Sequence, residues 1–529
     1  MTAKLNHILH IMQSNPALLK ALGNFNRGIE REALRVTPQG VLAQTPHAAG
    51  LGSALCNPKI TTDYAEALLE LITPVHNNIS GCLEELDDIH RFVYSEIAKQ
   101  DEMLWSSSMP CQLGKAADIQ IAQYGHSNIA KMKMVYREGL GYRYGKAMQA
   151  ISGIHYNFSL GEKFWPSYQK ALGDTQTLTS FRTEQYFCLI RNFRRFVPLL
   201  VYLFGASPVV CRSFLQGQPH HLEMLDEHSW GGQSATSLRM GDLGYQSAAQ
   251  NALFVCYNNL ENYVESLRQA ITVPHPDYVD IGLKDPDGHY RQLNTALLQI
   301  ENEFYSVIRP KRTTASGEAP INALRRGGVE YIEVRCMDIN PFTPLGIDAS
   351  TMRFLDLFLL FCLIEDSPDL SDEESIRSVK NLKTVVSQGR SPDCTIDING
   401  QPMPFNAWAR SLMERLLPLA ELLDSLHCSQ PFLSTWKLQS SKVDDVSLTP
   451  SAQILASMKD QQITFVEFSR RQSKHWYQYF LKRPLETNKQ TLFAELAADS
   501  IVQQQAIEAA DIINFDDYLQ NFYQQYQKH

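Results

Sequence analysis

The chain has 529 residues, 44% of them hydrophobic and 20% charged, with 28 glycines and 25 prolines, which is globular material and excludes a disordered or fibrous protein. A net charge of -9 and a pI near 5.9 supply no domain-wide basic surface, which argues against a nucleic-acid partner. The ten cysteines are scattered without a C-x-x-C pair, and the longest apolar runs, 196–204 and 354–364 (interrupted by Asp356), reach about half of the roughly 20 residues a bilayer span needs, so the sequence reads as a reduced cytoplasmic protein with no membrane association.

Residues 1–22 read as a leading amphipathic helix that lacks the continuous apolar core of a secretory signal. Residues 27–36 (R-G-I-E-R-E-A-L-R-V) read as the first strand. Strand side chains alternate, so Glu30 and Glu32 share a face with their Cα atoms roughly 7 Å apart. At about 5 Å and an effective dielectric near 20, two carboxylates repel by roughly 3 kcal/mol. A folded protein leaves such a pair exposed on an edge strand, neutralises it with a basic partner, or binds a cation there, and these residues alone leave the choice open.

The stretch 63–70 is ambiguous, because Asp63, Glu66 and Glu70 fall on one helical face while Glu66, Leu68 and Glu70 alternate as on a strand. The short run and the following L-I-T-P favour a strand over 65–73. An amphipathic helix over 79–101 buries Leu83, Leu86, Ile89, Phe92, Val93 and Ile97. Between 123 and 148, tyrosines and arginines mix with Gly139, Gly141 and Gly145, whose spacing makes no dinucleotide fingerprint, and Gly145-Lys146 lacks the rest of a P-loop. If ATP is used, another kind of site holds it.

A strand over 153–160 places His155, Asn157 and Ser159 opposite an apolar face of Ile154, Tyr156, Phe158 and Leu160. Helices follow over 181–204 and 246–271, with a polar loop over 235–245 between them. The run Ile308-Arg309-Pro310-Lys311-Arg312 is a cationic cluster in an acidic protein, either a solvated loop or a phosphate-binding one. Residues 329–336 show the cleanest alternation, with Tyr331, Glu333 and Arg335 on one face. Beyond about residue 350 the chain reads as helical: an apolar helix over 352–364, then helices broken by Pro, Gly and Ser stretches near 386–404 and 440–451. The Gln- and Ala-rich tail from Thr491 shows no ligand pattern.

Glu30, Glu32, Glu70, His155 and Glu333 form a mostly oxygen donor set, which suits Mg²⁺ or Mn²⁺ better than tetrahedral zinc. Arg335 adds a planar fork suited to phosphate, and Arg309 and Lys311 extend that charge if the cationic cluster binds phosphate. Carboxylates holding Mg²⁺ beside an arginine are what phosphoryl transfer needs.

The strings RGIEREALR at 27–35, ITTDYAEALLE at 60–70, YREGL at 136–140, SGIHYNFS at 152–159, FGASP at 204–208, IRPKR at 308–312 and EYIEVR at 330–335 closely resemble the proteobacterial form of the glutamate-cysteine ligase (gamma-glutamylcysteine synthetase) family. The resemblance runs in order from about 20 to 365 and is loose beyond. Tyr64 and Cys336 stand where that family would have Phe and Ser. It implies an α+β, glutamine-synthetase-like fold, a curved and mostly antiparallel sheet with helices outside. It further implies a catalytic core over 1–365 and a helical region over 366–529 packed on it as one unit. The implied reaction joins L-glutamate to L-cysteine with ATP, towards glutathione. Glu30, Glu32, Glu70, His155 and Glu333 would hold Mg²⁺, with Asp63 a further candidate, and Arg335 would meet the transferring phosphoryl group. Tyr136, Gln149, Arg239, Tyr245 and Tyr305 would line the cysteine pocket. Rival readings are a related carboxylate-amine ligase or guanidino kinase with another acceptor, and an inert binding protein. No obligate protein partner is evident.

Overall fold

The segment carrying Glu30 and Glu32 forms a twelve-residue strand, β1 (Phe25–Val36), buried along nearly all its length and central to the main sheet. The computed structural model describes residues 3–527 except 111, 216, 218, 219, 245–249, 251, 252 and 316. In chain order there follow β2 (Ile60–Thr62), β3 (Leu68–Ile72), β4 (Met103–Leu104) and β5 (Ile154–Leu160). A small sheet comprises β6 (Val209–Cys211), β7 (Glu223–Asp226) and β8 (Ser229–Gly231). Then come β9 (Ile308–Lys311), β10 (Tyr331–Met337) and a hairpin of β11 (Thr395–Ile398) and β12 (Gln401–Pro404). The main sheet runs β2-β3-β1-β5-β10-β9, with β4 pairing the end of β1, and each of these pairings is antiparallel. The expected α+β architecture is the one that forms.

The two long apolar runs lie beneath the sheet as parts of the packed helices Leu178–Phe204 and Ala349–Ile364. The second is buried nearly all round, as an apolar helix must be. One polar residue interrupts it. Asp356, 0% exposed, accepts two hydrogen bonds from Arg27 on β1, from Nε at 2.8 Å and Nη2 at 2.6 Å, and one from the Tyr156 hydroxyl on β5 at 2.7 Å. Burial pushes the Asp356 carboxyl up, against the lowering effect of the Arg27 charge. The three groups fix the sheet onto the helix under it. One contiguous hydrophobic core runs from Leu5 to Tyr526, so the C-terminal helices pack on the same core as the sheet. Among the described residues no helix is long and apolar enough to cross a membrane.

Several elements differ from the sequence expectation. The leading helix is two, Ala3–Ser14 and Pro16–Leu22, because Asn15 caps the second by accepting from the Leu18 amide at 3.1 Å and Pro16 begins it. The strand expected over 65–73 starts only at Leu68, since 63–67 turns between β2 and β3 with the Asp63 amide donating to Leu68 O at 2.9 Å. The helix expected over 246–271 is interrupted, since 253–259 are not helical and a helix Leu260–Thr272 follows, capped by Asn259; 245–249, 251 and 252 lie outside the described residues. The region 366–529 is not wholly helical. The β11–β12 hairpin turns on Asn399 and Gly400, both at positive φ (54° and 81°), the conformation that a two-residue hairpin loop needs and that Asn-Gly supplies. The cationic cluster is no solvated loop either, for Ile308, Arg309 and Pro310 are buried in β9.

Asp356→Asn keeps the shape of the buried cluster but leaves the Arg27 charge without its counter-ion. It should lower stability by about 3–5 kcal/mol, read as a shift of the urea midpoint at constant slope. An unmoved midpoint would mean that this pair does not hold sheet to helix.

Candidate active site

Backbone register places the acidic residues. Opposite residues of an antiparallel pair share a face. Glu30 lies opposite His155, Glu32 opposite Glu70, Glu333 opposite both Asn157 and Arg309, and Tyr331 opposite Lys311. Five strands thereby bring Glu30, Glu32, Glu70, His155, Glu333, Arg309 and Lys311 to one side of the sheet. The other side of β5 is the apolar one, with Ile154, Tyr156, Phe158 and Leu160 in the core.

His155 sits at the middle of the acids. Its Nδ1 is 3.1 Å from Glu30 Oε2 and 3.5 Å from Glu333 Oε1, and its Nε2 is 3.7 Å from Glu32 Oε1. Asn157 donates from Nδ2 to the other oxygen of Glu30 at 2.9 Å, and the Gly153 amide donates to Glu32 Oε2 at 2.6 Å. With Nδ1–H donated to Glu30, Nε2 keeps its lone pair for another partner. Asn157 and the Gly153 amide were not among the expected site residues. Asn157 was legible on the polar face beside His155, whereas a backbone donor has no sequence signature.

The carboxylates divide electrostatically. Burial pushes Glu70 well up, and the charges of Glu30, Asp63 and Glu32 push the same way. Glu32 is raised as well, burial outweighing His155 and the arginines. Glu333 is also buried, yet Lys311 and Arg335 hold it well below the ordinary range, and His155 with Lys311 brings Glu30 down against its own burial. Glu333 is thus the ionised anchor of the basic rim. Arg335 Nη1 donates to its Oε1 at 2.8 Å, and Lys311 Nζ lies 3.5 Å from its Oε2. The β5–β10 register shifts between Val334 and Met337, and this bulge leaves the Arg335 carbonyl to accept from Arg239 Nη2 at 3.0 Å.

The donors fit a divalent cation. Glu30, Glu70 and His155 offer ligand atoms that all lie within 4.8 Å of one another. His155 Nε2 is buried with no hydrogen-bond partner among the described residues, a costly condition that a metal would relieve. The set is oxygen-rich, as Mg²⁺ and Mn²⁺ prefer. Asp63 lies in the β2–β3 turn, close enough for its charge to raise both Glu32 and Glu70. Volume does not mark this place. The cavity between His155, Arg335 and Tyr305 measures about 50 Å³, whereas hollows of about 880 and 870 Å³ flank the small sheet.

Beside the acids stands a cluster of tyrosines. Gln149 Nε2 donates to the Tyr305 hydroxyl at 2.8 Å, and Tyr136, on helix Asn128–Tyr144, is pushed up by burial and by the nearby Glu303 charge. Arg239 is 0% exposed, with Nη1 3.6 Å from Asp338 Oδ1, and its charge acts on Glu32. It packs on Gly153, where a Cβ would come within 1.9 Å of its Nη2. Arg309 is likewise buried, its Nη2 donating to Asn302 O at 2.9 Å and also to Phe304 O. Tyr245 lies outside the described residues.

Residues 9–385 match the family described as glutamate-cysteine ligase. The chain belongs to the glutamate-cysteine ligase family. A glutamate–cysteine ligase of Pseudomonas putida is 52% identical to this ligase over 516 residues, 98% of this chain and 97% of that one. One of Saccharophagus degradans is 48% identical over 503 residues, 95% of this chain and 94% of that one. The crystal structure of glutamate–cysteine ligase from Francisella tularensis in complex with AMP matches with a TM-score of 0.90 at 37% identity, covering 95% of this chain and 98% of that one. A bifunctional glutathione synthetase from Pasteurella multocida matches with a TM-score of 0.73 at 25% identity, over 92% of this chain and 58% of that one.

Glu70 is the acid that its neighbours oppose most clearly, which generates a test separate from turnover. In EDTA, Glu70→Gln should be at least as stable as the natural ligase, because it removes like-charge repulsion of the order of 1 kcal/mol or more. The rise in melting temperature on adding Mg²⁺ should shrink. Destabilisation in EDTA, or an undiminished Mg²⁺ effect, would remove Glu70 from the ligand set.

Proposed function

We propose that this ligase activates the γ-carboxylate of L-glutamate with ATP and joins it to the amine of L-cysteine, forming γ-glutamylcysteine, ADP and phosphate, the first step of glutathione biosynthesis, in the cytoplasm. The observation that carries the reading is the convergence of Glu30, Glu70 and His155, ligand atoms within 4.8 Å of one another, beside the rim of Lys311 and Arg335. A carboxylate is a poor acyl donor, so one oxygen must become part of a leaving group before an amine can displace it. The γ-carboxylate oxygen attacks the terminal phosphorus of ATP, the bond to ADP breaks, and γ-glutamyl phosphate results. The cysteine ammonium gives up a proton to a base, the free amine attacks the carbonyl carbon, and phosphate departs as the C–N bond forms and the nitrogen loses its second proton.

Glu30, Glu32, Glu70, His155 and Glu333, with Asp63 nearby, would hold Mg²⁺, for which Mn²⁺ can stand in. Bound there, Mg²⁺ offsets the charge of the triphosphate and of the glutamate carboxylate. Arg335 donates from Nη1 to Glu333, and its planar fork would meet the transferring phosphoryl group. Lys311 extends the positive edge, and buried Arg309 adds its charge from behind. Tyr136, Gln149 and Tyr305 form the acceptor pocket, with Arg239 setting the backbone of Arg335. In this reading residues 1–365 carry the chemistry and 366–529 support it.

Arg335→Lys keeps the charge but loses the planar fork. Turnover should fall by about 10²- to 10³-fold, the size of losing one transition-state donor, with a smaller change in the KM for ATP. An unaltered turnover number would place Arg335 away from the phosphoryl group.

The acceptor tests the reaction itself. L-2-Aminobutyrate keeps the amine and carboxylate of cysteine and replaces the thiol by a methyl, so it should still be ligated, with kcat/KM reduced by about 10- to 200-fold at most. 3-Mercaptopropionate keeps the thiol but has no amine, and should give no stable product. Products would be identified by mass after incubation with ATP, Mg²⁺ and glutamate. Ligation of the amine-free thiol, or complete refusal of aminobutyrate, would show that sulfur is the nucleophile.

A further inference from the structure

The C-terminal tail carries no ligand pattern, yet its contacts reach both sides of the tyrosine cluster. Helix Phe515–Gln524 buries Phe515 and Leu519 in a small apolar cluster with Val135 and Leu293, against which Tyr136 and Ile300 also pack. The approach to that helix is tied to the start of helix Asn128–Tyr144, the helix of Tyr136. The Asn128 amide donates to Asp511, and Asn128 Nδ2 donates to Ile513 O at 2.9 Å.

The second anchorage is on the segment 299–305. The Tyr523 hydroxyl donates to Gln299 O at 2.9 Å, and the Tyr526 hydroxyl donates to Glu301 Oε2 at 2.7 Å. Gln299 reaches back across the gap, donating from Nε2 to Tyr136 O at 3.1 Å. The segment ends at Tyr305, whose hydroxyl accepts from Gln149. Tyr526 is 0% exposed and Glu301 7% exposed, although Tyr526 is only three residues from the last. Burying a phenol and a carboxylate costs free energy unless they pair. Packing alone would be served by phenylalanine.

We infer that residues 511–526 are a positioning strap for the acceptor pocket, with the Tyr526–Glu301 hydrogen bond as its latch. The strap touches no substrate. Helix Asn128–Tyr144 and the segment 299–305 are already joined where Arg143 Nη1 and the Tyr144 hydroxyl donate to Glu303 Oε1 at 2.9 and 2.7 Å; the strap adds a second tie at the other end of the helix, and the two together fix the separation of Tyr136 and Tyr305. The inference rests on the reading that these two tyrosines line the acceptor pocket.

The test uses the full chain with Tyr526→Phe, Glu301→Met and the double substitution, measuring kcat and the KM for cysteine, glutamate and ATP together with the melting temperature. Tyr526→Phe should raise the KM for cysteine by about 5- to 20-fold, as loss of one buried hydrogen bond warrants, with the other two KM values within about twofold. The double variant leaves neither group unpaired, so it should melt no lower than Glu301→Met while its cysteine KM stays at the level of the worse single variant. Three results overturn the inference: an unchanged cysteine KM, a proportionate rise in all three KM values with a lowered melting temperature, or effects that multiply in the double variant. Tyr305→Ala run alongside separates the two readings. If it leaves the cysteine KM unchanged, the pocket reading is wrong; if it raises that KM and Tyr526→Phe does not, only the strap is.

Discussion

Acids that repel one another are held together here by backbone hydrogen bonds, and the rest of the structure depends on that constraint. Glu30, Glu32, Glu70 and Glu333 are side by side because three antiparallel ladders leave them nowhere else to go. A slip of one residue in β1 would turn Glu30 and Glu32 into the core and bring Ile29 and Arg31 to the acidic face. The apolar underside prevents that slip. It buries Ile29, Tyr156, Phe158, Ile332 and Val334, and the Arg27–Asp356–Tyr156 cluster adds a polar contact with only one geometry. Stability at the sheet's underside thus sustains a destabilised upper face, which is the arrangement expected where a site must be ready for a cation and a phosphate before either arrives.

The basic rim follows from the same register. β9 and β10 lie at one end of the sheet order, and their pairing brings Arg309 and Lys311 to the level of Glu333 and Tyr331. Glu333 lies between the two charge regions, 3.5 Å from His155 on the acidic side and 2.8 Å from Arg335 on the basic side. A carboxylate in that position is paired on one side whether or not a metal is present on the other. This explains why it stays ionised in a burial that drives Glu70 the opposite way.

How much of this the sequence reveals depends on the range of the interaction. Alternation is local, so β1, β5 and β10 were legible with their faces, and the donor types on those faces named the chemistry. Strand order is not local. That Glu32 meets Glu70 and Glu333 meets Asn157 follows only from long-range pairing, and no period in the chain encodes it. Caps and turns are local but depend on one or two residues, which is how Asn15-Pro16 was passed over inside a longer amphipathic pattern and Asn399-Gly400 inside a stretch read only as a break between helices. Burial of charge is the least legible. Arg239 and Arg309 look like surface donors in the sequence, and both lie in the interior, held by Asp338 and by the carbonyls of the 302–304 turn.

The tail makes the same distinction at the level of the whole chain. Its pattern of Gln, Ala and Asp reads as a solvated helix, and much of helix Thr487–Ala510 is one. Past residue 510 the contacts become specific: a backbone amide on Asp511, aromatic rings against Val135, and two phenols on the segment 299–301. None of these groups bears chemistry, so no search for ligands in the sequence would single them out. They are placed between two separately encoded elements, helix Asn128–Tyr144 and the segment 299–305. Sheet register can align residues within β1, β5 and β10, but it cannot align a helix with a loop that enters the sheet from another side. Contacts outside the sheet do that: Arg143 and the Tyr144 hydroxyl bond Glu303 directly, and the tail, which reaches both elements, adds a second tie.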